Sequence, residues 1–160
     1  MRYLVVILLV WIGVCKGYAQ DYETDFREAQ RLFQERAKSS HTHLQDYLQD
    51  YPYTPYSDEV HLMQGVLYVE KEKYKQAHKA FQKVEVKNLS RSSESMYYFY
   101  LGYANLQQEE YKKALSCMQK LKNRQNPYFL QATYYSGYCH YKQQNYQQAL
   151  VEFLTLEEVG

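Results

Sequence analysis

The stretch GYANLQQEEYKKALSCM, from Gly102 to Met118, decides the fold. A glycine opens it, Tyr111 follows, the small Ala114 stands three residues beyond the tyrosine, and the large apolar Met118 stands four beyond the alanine. The same order recurs upstream as Gly65, Tyr74, Ala77 and Phe81, and downstream as Gly137, Tyr146, Ala149 and Phe153. The glycines lie 37 and then 35 residues apart. A fixed period of that length marks stacked units that bury a continuous core between neighbours, rather than one globular core.

Each unit reads as two helices. In the second halves, Tyr74, Ala77, Phe81 and Val84 recur at steps of three and four, as do Tyr111, Ala114, Met118 and Leu121, and Tyr146, Ala149, Phe153 and Leu156. Each set makes one apolar stripe on a 3.6-residue helix. The first halves, around Val60 to Val69, Met96 to Leu106 and Phe129 to Tyr141, are apolar on more than one side, which predicts the more enclosed helix of each pair. Polar turns at Glu70–Lys73, Gln107–Glu110 and Lys142–Asn145 separate the halves. Connections this short make antiparallel neighbours.

The glycine and alanine positions are expected where paired helices cross, since the closest approach excludes anything larger than a methyl. Glycine inside a helix costs about 1 kcal/mol relative to alanine, so close packing must compensate it in every unit. Asn126-Pro127 predicts an N-cap followed by proline at the first helical position, and Thr54-Pro55 predicts the same before the first unit. The polar connector Val86 to Ser93 reads as a loop. Upstream, Phe26, Ala29, Phe33 and Ala37 form one stripe, and Leu44, Tyr47, Leu48 and Tyr51 another. The break at Ser39-Ser40 and the stop at Pro52 predict a degenerate helical pair over 21–51.

Composition agrees with an all-α chain. Among 160 residues there are six Gly, three Pro and 46% hydrophobic residues, a helix-forming balance, while tyrosine stands out at 20 residues. Residues 1–19 read as a signal peptide: Arg2 gives a positive start, Leu4 to Val14 is apolar, and Gly17-Tyr18-Ala19 offers small residues at a cleavage site. Cys15 leaves a lipoprotein signal open as the alternative, although Val14 stands where a small residue is wanted. The apolar run is shorter than the roughly 20 residues a spanning helix needs, so export to a periplasm or outer membrane is the expectation. Without the leader, 17 Lys+Arg face 18 Asp+Glu, because Arg2 and Lys16 leave the total of 19. Near-neutral, alternating charge such as Glu70-Lys71-Glu72-Lys73 argues against nucleic-acid binding, which needs clustered cations. Cys117 and Cys139 fall on helices expected to touch, so either a disulfide or two buried thiols is open.

The repeated order resembles the tetratricopeptide repeat. Its signature is met best by Tyr98, Leu101, Gly102, Ala114, Met118 and Pro127. The first unit keeps Gly65, Tyr68, Ala77 and Phe81 but has His61 and Gln64 where an aromatic and a leucine are expected; the third keeps Gly137, Ala149 and Phe153 but has Thr133 and Ser136. The resemblance implies a right-handed solenoid of antiparallel helix pairs over 55–160, with repeats at about 55–88, 93–124 and 127–158. The junction Tyr51 to Tyr56 also looks like the Tyr-Pro junction of bacterial envelope tetratricopeptide proteins, including the lipoprotein of the outer-membrane β-barrel assembly machinery. In such arrays the first helices line a concave face. Carried over residue by residue, that face selects Leu62, Val66, Val69, Phe99, Tyr103, Leu106, Tyr134, Tyr138 and Tyr141 as a partner-binding groove.

No phosphate loop, His-Glu-x-x-His, cysteine knuckle or nucleophile elbow is present, and His41-x-His43 offers two ligands where a closed metal site needs more. The expectation is a non-catalytic scaffold without cofactor or metal, binding a protein or peptide; a role in outer-membrane assembly and a glycan-binding groove are the alternatives. Tyrosine suits a partner surface because it couples a rigid apolar ring to a hydroxyl. It also suits packing between helices, and both roles are open for each ring. The last helix is apolar on several sides, so Leu150, Val151 and Leu154 call for a cover: a further repeat of a longer array, self-association or a docked partner.

Overall fold

The computed structural model describes residues 21–158, and among these every regular element is helical. In chain order they are α1 (21–34), α2 (Ser40–Asp50), α3 (Ser57–Glu70), α4 (Tyr74–Phe81), a 3-10 turn (Val86–Asn88), α5 (Arg91–Gln107), α6 (Tyr111–Gln119), α7 (Phe129–Lys142) and α8 (Tyr146–Glu157). The leader expected at 1–19, with Cys15, lies outside the described residues. None of the described helices is long and apolar enough to cross a membrane. The chain divides into two compact units, one ending at Val60 and the other beginning at His61.

Four turns reverse the chain by one device. Arg36, Glu72, Glu109 and Gln144 each adopt positive φ, between 54° and 63°. After α3, the Lys73 N–H donates to the Tyr68 carbonyl at 2.8 Å and the Glu72 N–H to that of Val69 at 2.9 Å, the paired closure of a Schellman motif. The same pairs recur at Glu110/Asn105 with Glu109/Leu106, at Asn145/His140 with Gln144/Tyr141, and at Ala37/Leu32 with Arg36/Phe33. Ala29 precedes Arg36 by the interval at which Gly65 precedes Glu72, so α1 ends as the first helices of the repeats do.

In the second unit, α4 to α8 pack in succession, and α5 also touches α7. The glycines are occupied across the pair by the large residue that follows the alanine. A methyl at Gly65 would fall 2.6 Å from Cδ1 of Phe81, one at Gly137 2.6 Å from Cε1 of Phe153, and one at Gly102 2.8 Å from Cε of Met118 and 2.9 Å from Cβ of Cys117. Glycine thus receives an aromatic or thioether knob, where the spacing alone suggested two small residues face to face. Ala77, Ala114 and Ala149 are buried. Phe81 meets Tyr97 of α5 edge-on at 5.6 Å, while Met118 clusters with Leu121 and Ala132 of α7. α4 and α6 are therefore each sealed by the first helix of the next repeat.

Two helix starts fall later than the proline rule predicts. α7 begins at Phe129, not Pro127, because the Asn126 side-chain oxygen accepts the Tyr128 N–H at 2.9 Å and its carbonyl accepts the Phe129 N–H at 3.0 Å. That is an Asx turn leading into the helix. At Thr54-Pro55 the Ser57 N–H donates to the Thr54 carbonyl at 3.2 Å, and α3 starts at Ser57. The tyrosine after each proline then stacks on a phenylalanine of an earlier first helix: Tyr56 on Phe26 at 4.1 Å, and Tyr128 on Phe99 at 4.5 Å.

The first unit is held locally. Leu44 and Tyr47 of α2 are buried, and Tyr47 tilts against Phe26 at 6.1 Å. The buried Ser40 hydroxyl closes the α1–α2 corner, 2.7 Å from the Leu32 carbonyl and 2.6 Å from that of Ala37. The Tyr51 hydroxyl donates to the Asp25 carboxylate at 2.8 Å and ties the end of α2 back to α1.

Candidate partner-binding groove

The first helices α3, α5 and α7 present one face on which the nine groove positions divide three ways. Tyr134, Tyr138 and Tyr141 are open, with 51%, 37% and 56% of their surface exposed. Phe99 and Tyr103 are half-buried. Leu62, Val66, Val69 and Leu106 are buried. For Leu62 and Val66 this corrects the carried-over groove: aliphatic side chains there are enclosed among the helices and present nothing to a partner. Val69 and Leu106, though buried, each line a cleft among the rings and form its floor.

Two clefts lie side by side over those floors. One, of about 290 Å³, is lined by Val69, Glu70, Glu72, Tyr74, Phe99, Tyr100, Tyr103 and Tyr135. The other, of about 260 Å³, is lined by Tyr103, Leu106, Gln107, Glu109, Tyr111, Tyr134, Tyr135, Tyr138 and Lys142. Tyr103 and Tyr135 belong to both and form the ridge between them, their rings edge-to-face at 5.4 Å. Tyr135 also meets Phe99 at 6.2 Å and Tyr134 at 5.4 Å. It packs against two buried clusters, one of Leu106, Ala114 and Cys139 and one of Met118, Leu121 and Ala132. A ring anchored below and open above is a rigid contact surface with little entropy left to lose on binding.

The groove positions read from the sequence omit Tyr135, the ridge residue, and Tyr74 and Tyr111, which were placed on the apolar stripes of the second helices. Tyr135 differs by one position from the selected Tyr134, and a step of about 100° around a helix separates neighbours onto different faces. For Tyr74 and Tyr111 the signal was present in the repeat: each begins a second helix beside the turn, at the mouth of a cleft.

Burial raises the phenol pKa of Tyr135, with Tyr103 adding to it, and burial also raises those of Tyr74 and Tyr111. These hydroxyls are therefore donors at neutral pH. Lys142 Nζ lies 5.8 Å from the centre of the Tyr138 ring, a cation–π contact at the rim of the second cleft. Cys117 and Cys139 beneath the face are free and buried, and burial pushes each thiol up to about 11. Among the described residues no three His, Cys, Asp or Glu side chains converge on a point that would hold a metal.

Stacked helix pairs closed by one repeated turn, with an aromatic face on their first helices, define a helical-repeat protein. Residues 62–128 match the family model described as tetratricopeptide repeat. Its members generally mediate protein–protein interaction and are typically non-catalytic. No curated protein and no solved structure matches the chain significantly.

Proposed function

We propose that this protein is an exported, non-catalytic scaffold of a bacterial envelope that holds a protein or peptide partner on the face formed by α3, α5 and α7. The observation that carries the reading is the pair of tyrosine-lined clefts joined at Tyr103 and Tyr135. Support for export comes from the order of charge, apolar run and small residues over 1–19. Attachment through Cys15 and service in outer-membrane assembly is the variant that fractionation separates from a soluble scaffold.

The test places a photoreactive side chain at Tyr138 in the native envelope. A discrete cross-linked adduct is expected, lost with Tyr103→Ala and kept with Lys79→Ala on the exposed side of α4. Absence of an adduct, or one indifferent to Tyr103→Ala while the fold is intact by circular dichroism, overturns the groove.

A second reading is favoured by α8, where Leu150 and Val151 are 54% and 63% exposed. That face takes a further first-type helix, supplied in cis or by another copy.

A further inference from the structure

We infer that a second site, separate from the tyrosine face and independent of the groove reading, binds a sugar that carries a carboxylate or phosphate group. It is a cleft of about 470 Å³ between the start of α5 and the segment that joins α6 to α7.

Local sequence fixes its walls. In the joining segment the Asn123 and Asn126 side chains each accept a backbone N–H two residues on, from Gln125 at 3.0 Å and from Tyr128 at 2.9 Å. Two successive Asx turns hold the segment in one shape. The Asn126 amide then reaches across and donates to the Ser95 hydroxyl at 3.0 Å, and Ser95 donates to the Arg91 carbonyl at 3.0 Å, so the segment is tied to α5. One wall presents Arg91, Ser92, Glu94, Ser95 and Tyr98, the other Lys120, Leu121, Asn123, Gln125 and Asn126. Tyr98 packs on the buried cluster of Met118, Leu121 and Ala132. A preformed cleft of this volume suits a small molecule.

Charge sets the class of ligand. Residues 71–124 carry twelve Lys and Arg against five Asp and Glu, whereas 21–70 carry four against ten and 125–160 one against three. The near-neutral total hides a basic middle. Within it Lys87 meets Glu85 at 3.6 Å, Lys122 meets Glu152, and Arg124 meets Glu158 at 4.0 Å. Arg91 and Lys120 meet no carboxylate among the described residues, although Glu94 stands one helical turn from Arg91. Two unpaired cations on opposite walls of one cleft suit an anion between them, and a guanidinium matches the paired oxygens of a carboxylate or phosphate.

The rest of the lining says what the anion is attached to. Glu94 only accepts at neutral pH, so the ligand must bring hydrogen-bond donors as well as its charge. The Gln125 amide and the Ser92 hydroxyl make no hydrogen bond among the described residues, and each both donates and accepts. A sugar hydroxyl does the same, whereas an ammonium group only donates. The half-buried Tyr98 ring adds a flat apolar surface for the C–H face of a sugar ring. Burial raises the Tyr98 phenol pKa, with Glu94 adding to it, and its hydroxyl is therefore a donor at neutral pH.

Isothermal titration calorimetry on the folded chain tests this with hexose phosphates, hexosamine phosphates and uronic acids. The controls are the parent neutral sugars, inorganic phosphate and a hexamer of glutamate. At least one acidic sugar is expected to bind at millimolar concentration, about tenfold tighter than its neutral parent and than inorganic phosphate. Arg91→Ala and Lys120→Ala should each weaken it by about tenfold, the loss of one charge-assisted hydrogen bond. Both side chains are exposed, so both variants keep the fold, which circular dichroism checks. Gln125→Ala should weaken the sugar and leave inorganic phosphate unchanged, and Tyr138→Ala on the tyrosine face should change neither. Inorganic phosphate bound as tightly as every acidic sugar overturns the inference, since the cations then hold any anion. Tighter binding of the glutamate hexamer overturns it in favour of an acidic peptide. Binding indifferent to both Arg91→Ala and Lys120→Ala, or a panel in which nothing binds, overturns it as well. A uronic-acid trimer separates the two sources of this chemistry: tighter binding than the monomer marks a polysaccharide, equal or weaker binding a free sugar, and both uphold the site.

Discussion

At the scale of single residues, the glycines make a prediction opposite in sign to the usual rule. In an exposed helix, Gly→Ala stabilises by about 1 kcal/mol. Here the added methyl meets a side chain, and the outcome depends on whether that side chain can yield. Phe81 is 1% exposed and pinned against Tyr97, so Gly65→Ala forces a buried ring from its seat and is expected to destabilise by about 1–3 kcal/mol, the range for overpacking. Gly102→Ala meets the flexible end of Met118 but also Cβ of Cys117, and should cost less. Phe153 is 37% exposed and free to swing outward, so Gly137→Ala should come closest to neutral. Urea unfolding of the three variants ranks them. Equal costs, or Gly137→Ala the worst, contradict the knob-and-glycine account, and Phe81→Leu should recover part of the loss in Gly65→Ala.

At the scale of elements, the positive-φ residues and the first unit's tie carry the next expectations. A side chain at positive φ costs about 1–2 kcal/mol relative to the right-handed region, and glycine avoids that cost while losing more entropy on folding. Glu109→Gly is thus expected to stabilise by at most about 1 kcal/mol, and Glu109→Val to destabilise by at least as much, because a β-branched residue tolerates that conformation worst. Thermal melts in parallel decide it; a stabilised valine variant sinks the turn assignment. In the first unit, the hydrogen bond to Asp25, with burial second, pushes the Tyr51 phenol up to about 12 from 10. A raised folded pKa contributes stability that is complete below pH 10 and is lost as pH rises through 12. Tyr51→Phe should therefore lower the melting temperature at pH 8 and converge with the wild type above pH 12. A constant gap between the two melting curves across that range contradicts the tie. Three of these turns were legible in place, at Glu70–Lys73, Gln107–Glu110 and Lys142–Asn145, but not their left-handed backbone. Arg36, Glu72, Glu109 and Gln144 are not residues that advertise left-handed backbone; the surrounding pair of hydrogen bonds imposes it on them. The helices were legible, because apolar steps of three and four survive any choice of turn residue.

At the scale of the whole molecule, a repeat array is read well from its period and poorly from its edges. The period gave the paired helices, which depend only on local spacing, but not the seating of Phe81, Met118 and Phe153 on the glycines across each pair. Of the expected groove positions, Tyr134, Tyr138 and Tyr141 of α7 are exposed while Leu62 and Val66 are buried, because burial depends on neighbouring helices that no single repeat specifies. The same dependence makes α8 the test of the array. Phe81 and Met118 are 1% and 0% exposed beneath the following helix, whereas Phe153, at the same repeat position, lies beside Leu150, Val151 and Leu154, which stay open. Covering such a side chain is worth about 1.5–3 kcal/mol, enough for several together to drive association once another first-type helix is supplied. In solution the purified chain is expected to associate through α8 as concentration rises, and Leu150→Lys with Leu154→Lys should return it to a monomer with its melting temperature little changed. Light scattering over a hundredfold range of concentration reads the outcome. A wild-type chain that stays monomeric at the highest concentration means that α8 tolerates water as it stands, and the argument for a covering helix fails.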